Sequence, residues 1–349
     1  MGDVAAMDFG IFLAAQHARG SMADHLDEHL EQVRTAREVG FRSVFAGQHY
    51  FSNPYQMLHP VPLLARVAAE AGDMRVGTGI LLAPLFNPVE IAELATTMDA
   101  ICRGRFVLGL GLGYRDEEFD AFGVPPRRRI AYLEEALTLI PRLWTESDVE
   151  YESERVRLRG ATFPTRPTAR PHPPIWVAAN NDRAVERAAR LGDAWLINPH
   201  AKLSVLKRQM GVYRRARAEA GRPPPAVVPM NKEVYCAETA EEAWRDARPF
   251  LEEKYRVYVD WGQQRVLPPG DDLDLPFEQL QGERFIVGDP DQVIAQLERY
   301  RQELGVTHAV LRLQWPGLRG SLDQAKVLRS MRLIGRHVIP HFRGEGERA

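Results

Sequence analysis

The chain has 349 residues with 45 basic and 47 acidic side chains, so its net charge of -2 leaves no electrostatic footprint for nucleic acid or an anionic membrane. Hydrophobic residues at 45% exclude a disordered chain, and two cysteines, Cys102 and Cys236, exclude a disulfide framework or a four-thiolate zinc centre. No apolar run approaches the roughly 20 residues of a membrane span, and the opening MGDVAAMDFG lacks a secretory pattern, so a reduced, cytoplasmic protein is expected.

Short apolar runs alternate with amphipathic stretches along the whole chain. Residues 8–15 read as a first strand and 23–39 as a helix; 43–47 form a second strand and 61–71 the next helix. A third strand is expected at 75–82, followed by a helix at 88–101 with Pro88 at its start. A fourth strand at 105–111 leads to a long helix at 128–144. Residues 146–173 break the rhythm: alternation predicts a surface hairpin, and the proline-rich TFPTRPTARPHPP cannot be a central strand. Strands at 174–179, 193–197 and 226–237 then alternate with helices at 181–191, 202–220 and 239–256. Residues 257–285 show no period and read as a lid or a plain surface excursion. A helix opened by Asp289-Pro290, a strand at 307–315 and a helix at 321–339 close the chain. Eight strands in βα alternation imply a parallel sheet, and eight favours a closed (β/α)8 TIM barrel over an open sheet. One domain spanning 1–349 with insertions at 146–173 and 257–285 is expected.

Ligands of such barrels bind at the C-terminal ends of the strands. GLGLG at 109–113 has the wrong spacing for a dinucleotide fingerprint. Gly109, Gly111 and Gly113 instead let a flat ligand approach the backbone, or relieve crowding in the barrel. Thr78-Gly79-Ile80 in the third strand marks a bulge or a close approach. Gln48 and His49 end the second strand, and His200 and Asn198 follow the sixth; either histidine suits proton transfer or a structural hydrogen bond. His17, near the end of the first strand, is a third candidate. Asn180 and Asn181 open a helix whose N-terminus suits a phosphate, or simply cap it, and Arg183 could add charge. Lys232 and Arg312 read as members of buried ion pairs, with Glu233 available and Gln314 on the face of Arg312. No metal-ligand pair on a helix, Walker loop, nucleophile elbow or Cys–His pattern is read, so chemistry carried by a phosphorylated cofactor is favoured.

The stretch RVGTGILLAPLFNPVEIAELATTMDAICRGRFVLGLGLGYRDEEFDAFGV at 75–124, with 172–196, 284–306 and the ending WPGL…GRHVIPHF, resembles the bacterial luciferase-like flavin-dependent oxidoreductases. The resemblance implies reduced FMN at the barrel rim, with Thr78, Gly79, Ile80, Gly111, Leu112, Tyr114, Asn180, Asn181 and Arg183 around it. It also implies a non-proline cis peptide at Gly79-Ile80. The luciferase pair of histidines reads Gln48-His49 here, its reactive cysteine maps onto Gly111, and its phosphate-binding arginine maps onto Leu112. Light emission is therefore not expected. The function implied is a two-component monooxygenase fed by a separate flavin reductase, with His49, Gln48, His200 and Asn198 as the catalytic set. A deazaflavin-dependent hydride-transfer enzyme and a non-catalytic flavin-binding protein are the alternatives; Tyr114 stands where some deazaflavin enzymes carry Glu. A homodimer through the helices of the first half and an apolar or aromatic substrate are also expected.

Overall fold

The computed structural model describes residues 6–14, 16–18 and 20–344. The MGDVA opening and Ala15, which ends the expected first strand, lie outside them. Eight parallel strands form the frame: β1 (Asp8–Leu13), β2 (Ser43–Ala46), β3 (Arg75–Thr78), β4 (Phe106–Gly111), β5 (Ile175–Ala179), β6 (Ala194–Ile197), β7 (Pro229–Cys236) and β8 (His308–Arg312). Each pairs with the next in the chain, from Gly10 against Ser43 to Met230 against Ala309. Asp8 against His308 then joins β8 to β1, and the sheet closes into a (β/α)8 barrel.

The helices that cover it are α1 (Met22–Glu38), α2 (Pro60–Ala68), α3 (Pro88–Ile101), α4 (Arg129–Thr145), α5 (Asp182–Leu191), α6 (Leu203–Glu219), α7 (Ala240–Asp260), α8 (Pro290–Leu304) and α9 (Gln324–Leu333). Their ends follow local chemistry. Asn87 caps α3 ahead of Pro88, and Asp289 and Gln292 form a reciprocal capping box on α8. Gly305 ends α8 at a φ of 77°, a left-handed turn that glycine takes without cost.

The barrel lumen is filled by Phe12, Phe45, Val107, Trp176, Leu196 and Val310 from six different strands. Phe45 lies stacked on Trp176 with centroids 5.2 Å apart. Gly77 makes that floor possible, because a Cβ there would stand 2.3 Å from the Phe45 ring. Above the floor, toward the C-terminal strand ends, the lumen opens into a cleft.

The departures from sequence expectation are local. The third strand stops at Thr78; Gly79-Ile80 is the expected cis peptide, and Leu81–Leu82 then pairs with the end of β4. The expected surface hairpin is present as Val149–Glu152 against Arg157–Ala161. Residues 257–285 are more ordered than their lack of period suggests: α7 continues to Asp260, Gln263–Val266 makes a 3-10 turn and Phe277–Leu280 a single helical turn. The sequence reading missed Ile286–Gly288, a strand beside the end of β7. Three residues are too few to display a period, and this pairing is long-range. None of the helices among the described residues is long and apolar enough to cross a membrane.

Candidate active site

The cleft at the C-terminal rim holds about 1130 Å³ of unfilled space, part of it bulk solvent at its mouth. Gln48, His49, Gly79, Ile80, Gly111 and Leu112 line one side. Asn180, Asn181, Asn198, His200, Asn231 and Arg312 line the other, with Tyr114 and Tyr258 also present. Thr78 and Arg183 are outside the lining. Thr78 is fully buried, and its hydroxyl donates to Gly109 O and accepts from Gly109 N, both at 2.8 Å. Arg183 is exposed on the first turn of α5.

The glycines answer first to the barrel. A Cβ at Gly109 would stand 1.9 Å from the carbonyl oxygen of Thr78, and one at Gly111 would stand 2.7 Å from Ile80. Close strand packing thus accounts for Gly109, and the Ile80 side chain occupies the space beside Gly111. A ligand approaching here meets Ile80 and the bare backbone together.

At the β2 end, the Gln48 amide is spent on the protein. Its oxygen accepts from Leu82 N at 2.9 Å, and its nitrogen donates to Tyr50 Oη at 2.9 Å. Gln48 therefore positions this rim. His49 Nδ1 lies 3.1 Å from Glu118 Oε1, and the same oxygen accepts from Tyr50 N at 2.9 Å. Glu118 is fully buried on the short helix Asp116–Ala121, with Arg115 at 3.6 Å. An ionised Glu118 accepts the Nδ1 proton and leaves His49 Nε2 as the ring's other polar atom. Glu118 was missed as a site residue: it lies 69 positions from His49, and only its place after the glycine strand end hints at it.

At the opposite end, Asn198 Oδ1 accepts from His200 N and Ala201 N at 2.9 and 3.0 Å, which fixes the turn after β6. His200 is held well below the ordinary histidine range, first by burial and then by Lys254, Arg312, Lys232 and Arg284. It is a neutral imidazole near pH 7, and its buried Nδ1 has no partner among the described residues. Tyr114 Oη is likewise buried and unpartnered among the described residues. Tyr258, from α7, covers this end and donates to Gln16 at 3.2 Å.

Arg312 corrects the ion-pair expectation. Its guanidinium lies 3.7 Å over the Phe12 ring, its Nε donates to Asn231 at 3.1 Å, and it lines the cleft. Glu233 pairs instead with Lys254, at 2.5 Å, and accepts from Trp315 Nε1. Lys232 donates to the carbonyls of Pro199 and Ala201, and burial lowers its pKa to about 7. Gln314 lies away from the cleft, bonded to Gln32. So does His17, which bonds to His29 on α1. The sequence reading also overlooked that His25 and His29 stand four apart on α1.

The start of α5 reaches the cleft through Asn180, Asn181 and Ala184. Asn181 caps the helix by accepting from Ala184 N at 3.1 Å. Asp182, an anion in this first turn, is paired with both terminal nitrogens of Arg208 at 2.5 and 2.9 Å. That pairing offsets the charge a phosphate would otherwise meet. A trough with backbone on one wall and a helix N-terminus beside it, lined also by Tyr114 and His200, fits a flat, polar-edged cofactor carrying a phosphate.

A family model described as luciferase-like monooxygenase matches residues 7–308. The chain belongs to that family. It is 28% identical to an F420-dependent glucose-6-phosphate dehydrogenase of Kineococcus radiotolerans, over 85% of this chain and 88% of that one. The monooxygenase RslO1 of Streptomyces bottropensis superposes with a TM-score of 0.83 at 27% identity, covering 97% of this chain and all of the other. The oxygenating constituent of 3,6-diketocamphane monooxygenase from Pseudomonas putida, in complex with FMN, shares the fold with a TM-score of 0.79 at 20% identity, covering 96% and 98%. Family members thus include both monooxygenases and F420-dependent enzymes, and this chain is a luciferase-like oxidoreductase on a TIM barrel.

Proposed function

We propose that this protein is a two-component FMN-dependent monooxygenase that inserts oxygen from O2 into a small organic substrate. The observation that carries the reading is the trough lined by Gly79-Ile80, Gly111 and the start of α5, whose lining residues Tyr114 and His200 each hold a buried polar atom, Oη and Nδ1, without a partner among the described residues. The likeness to RslO1 over nearly the whole chain supports it. Bound reduced FMN would supply the electrons that activate O2. The chain's own residues do the rest. The amides that open α5 bind the cofactor phosphate, with Asn180 and Asn181 beside them. His49, oriented by Glu118, holds or moves a proton at Nε2. Neutral His200 offers a hydrogen bond without adding charge. Arg312 and Asn231 orient an oxygen atom of the substrate, while Tyr258 and Phe12 pack its apolar body and exclude water. A separate reductase delivers the reduced cofactor, and two copies pair through α2 and α3, which light scattering tests.

The relative from Kineococcus radiotolerans favours a second reading, hydride transfer with a deazaflavin on the same scaffold. Anaerobic calorimetry with reduced FMN and with the deazaflavin separates the two. Tight binding of reduced FMN and O2 uptake that depends on an added substrate support the monooxygenase. Tight binding of the deazaflavin alone overturns it. FMN binding with no turnover on any carbonyl or aromatic substrate points to a flavin-binding protein.

A further inference from the structure

The turn between β1 and α1 carries a cluster that the cleft does not use. The segment His25-Leu26-Asp27-Glu28-His29 puts His25, Glu28 and His29 at i, i+3 and i+4 on one face of α1. His17, from the two-residue bridge Gln16–His17 against Gln56–Met57, faces them. Its ring stacks on His25 with centroids 3.9 Å apart and planes 11° from parallel. His17 Nε2 lies 2.9 Å from His29 Nε2, and His25 Nδ1 lies 3.2 Å from Glu28 Oε2. His17 and His29 are fully buried. Three ring nitrogens here, His17 Nδ1, His25 Nε2 and His29 Nδ1, are buried without a hydrogen-bond partner among the described residues. Three orphaned nitrogens in one cluster are costly unless something else binds them.

We propose that His17, His25 and Glu28 form a binding site for a divalent transition-metal ion of the zinc class, with His29 orienting His17. One donor atom from each of the three lies within 4.8 Å of the others. A tetrahedral zinc with bonds near 2.0 Å holds its ligands about 3.3 Å apart, so binding draws the donors together and turns the His17 and His25 rings out of their parallel stack. Two imidazoles and a carboxylate are a zinc donor set, and water completes the fourth position. The bond between His17 Nε2 and His29 commits His17 Nδ1 to the ion, the usual task of a second partner on a metal-bound histidine. His25 and Glu28 are only half-buried, which gives the ion a path from solvent. Gly20 leaves the space beside His25 Nε2 free of a side chain, since a Cβ there would lie 3.2 Å from it. Gln16, next to His17, lines the cleft and accepts from Tyr258, so an ion here pins one wall of the cleft from outside. The proposal is independent of which cofactor the cleft takes.

The test uses the untagged full chain, stripped with a chelator, and zinc titrated in competition with a chromogenic chelator. Cobalt serves as a spectroscopic probe. One zinc per chain is expected, with cobalt giving the intense visible bands of a four-coordinate site. His25→Ala and Glu28→Gln, which change half-buried side chains, should each weaken zinc at least about 10-fold. His337→Ala, an exposed histidine elsewhere, should leave affinity unchanged. Sub-stoichiometric zinc, six-coordinate cobalt spectra, or equal affinity in His25→Ala and the unaltered chain overturns the proposal.

Discussion

At one end of the cleft His49 leans on the buried carboxylate of Glu118, 3.1 Å away. At the other end His200, equally a rim histidine, faces Lys254, Arg312, Lys232 and Arg284. The carboxylate orients the first ring through Nδ1, whereas burial, followed by the neighbouring basic side chains, keeps the second ring neutral. One residue type on one scaffold thus receives two chemical roles, each assigned by side chains distant in sequence. The cationic end is itself built at a cost. Lys254 and Glu233 are both buried, and their attraction must offset the loss of water around two charges.

Removing half of that pair should break the comparison most violently. Lys254→Ala leaves Glu233 charged and buried without its counter-ion, and a loss of about 3–5 kcal/mol in urea unfolding is expected. Lys254→Met with Glu233→Gln should recover most of it, because the amide still accepts from Trp315 and no charge remains. A single variant that loses less than about 1 kcal/mol would mean that water reaches this end, and the argument for a neutral His200 would fail. At the other end, Glu118→Gln should reduce turnover about 100-fold, with cofactor affinity by calorimetry unchanged. Unaltered turnover would remove His49 from proton transfer.

The barrel was legible because its signal is repetitive. Eight apolar runs separated by amphipathic helices mark the strands, and Pro88 and Asp289-Pro290 mark helix starts by local chemistry alone. The Gly79-Ile80 cis peptide was reached through the family resemblance. The pairings inside the cleft were not legible. Nothing near His49 in sequence names Glu118, and nothing near Arg312 shows that Glu233 is already taken by Lys254. The same holds for His17, which meets His25 and His29 only once the turn after β1 folds back on α1. Residue type located the rim, whereas partner identity depended on contacts that only the closed barrel creates.

Arg312 tests the cationic end from the substrate's side. If its guanidinium orients a substrate oxygen, Arg312→Ala should raise KM about 10- to 100-fold with a smaller change in kcat, as expected for a lost charged hydrogen bond. Arg312→Lys should restore little, since an ammonium cannot both donate to Asn231 and lie flat on Phe12. Equal KM values would assign Arg312 to the scaffold.

The smallest effect sharpens the lesson of His200 at a site with no ligand. His308, at the base of the barrel, lies 2.7 Å from Ser43 Oγ, and burial lowers its pKa from 6.5 to about 3. Between those values the unfolded chain takes up a proton that the folded chain refuses. The stability this group contributes is therefore complete above pH 6.5 and is lost as pH falls toward 3. By pH 5 the loss is about 2 kcal/mol from this residue alone. His308→Gln removes the titration, so its stability should fall less steeply than that of the unaltered chain between pH 7 and pH 5, by nearly one proton in the slope. Identical slopes would show that the folded barrel tolerates a charged imidazole, and the exclusion of charge from His200 by burial would have to be abandoned with it.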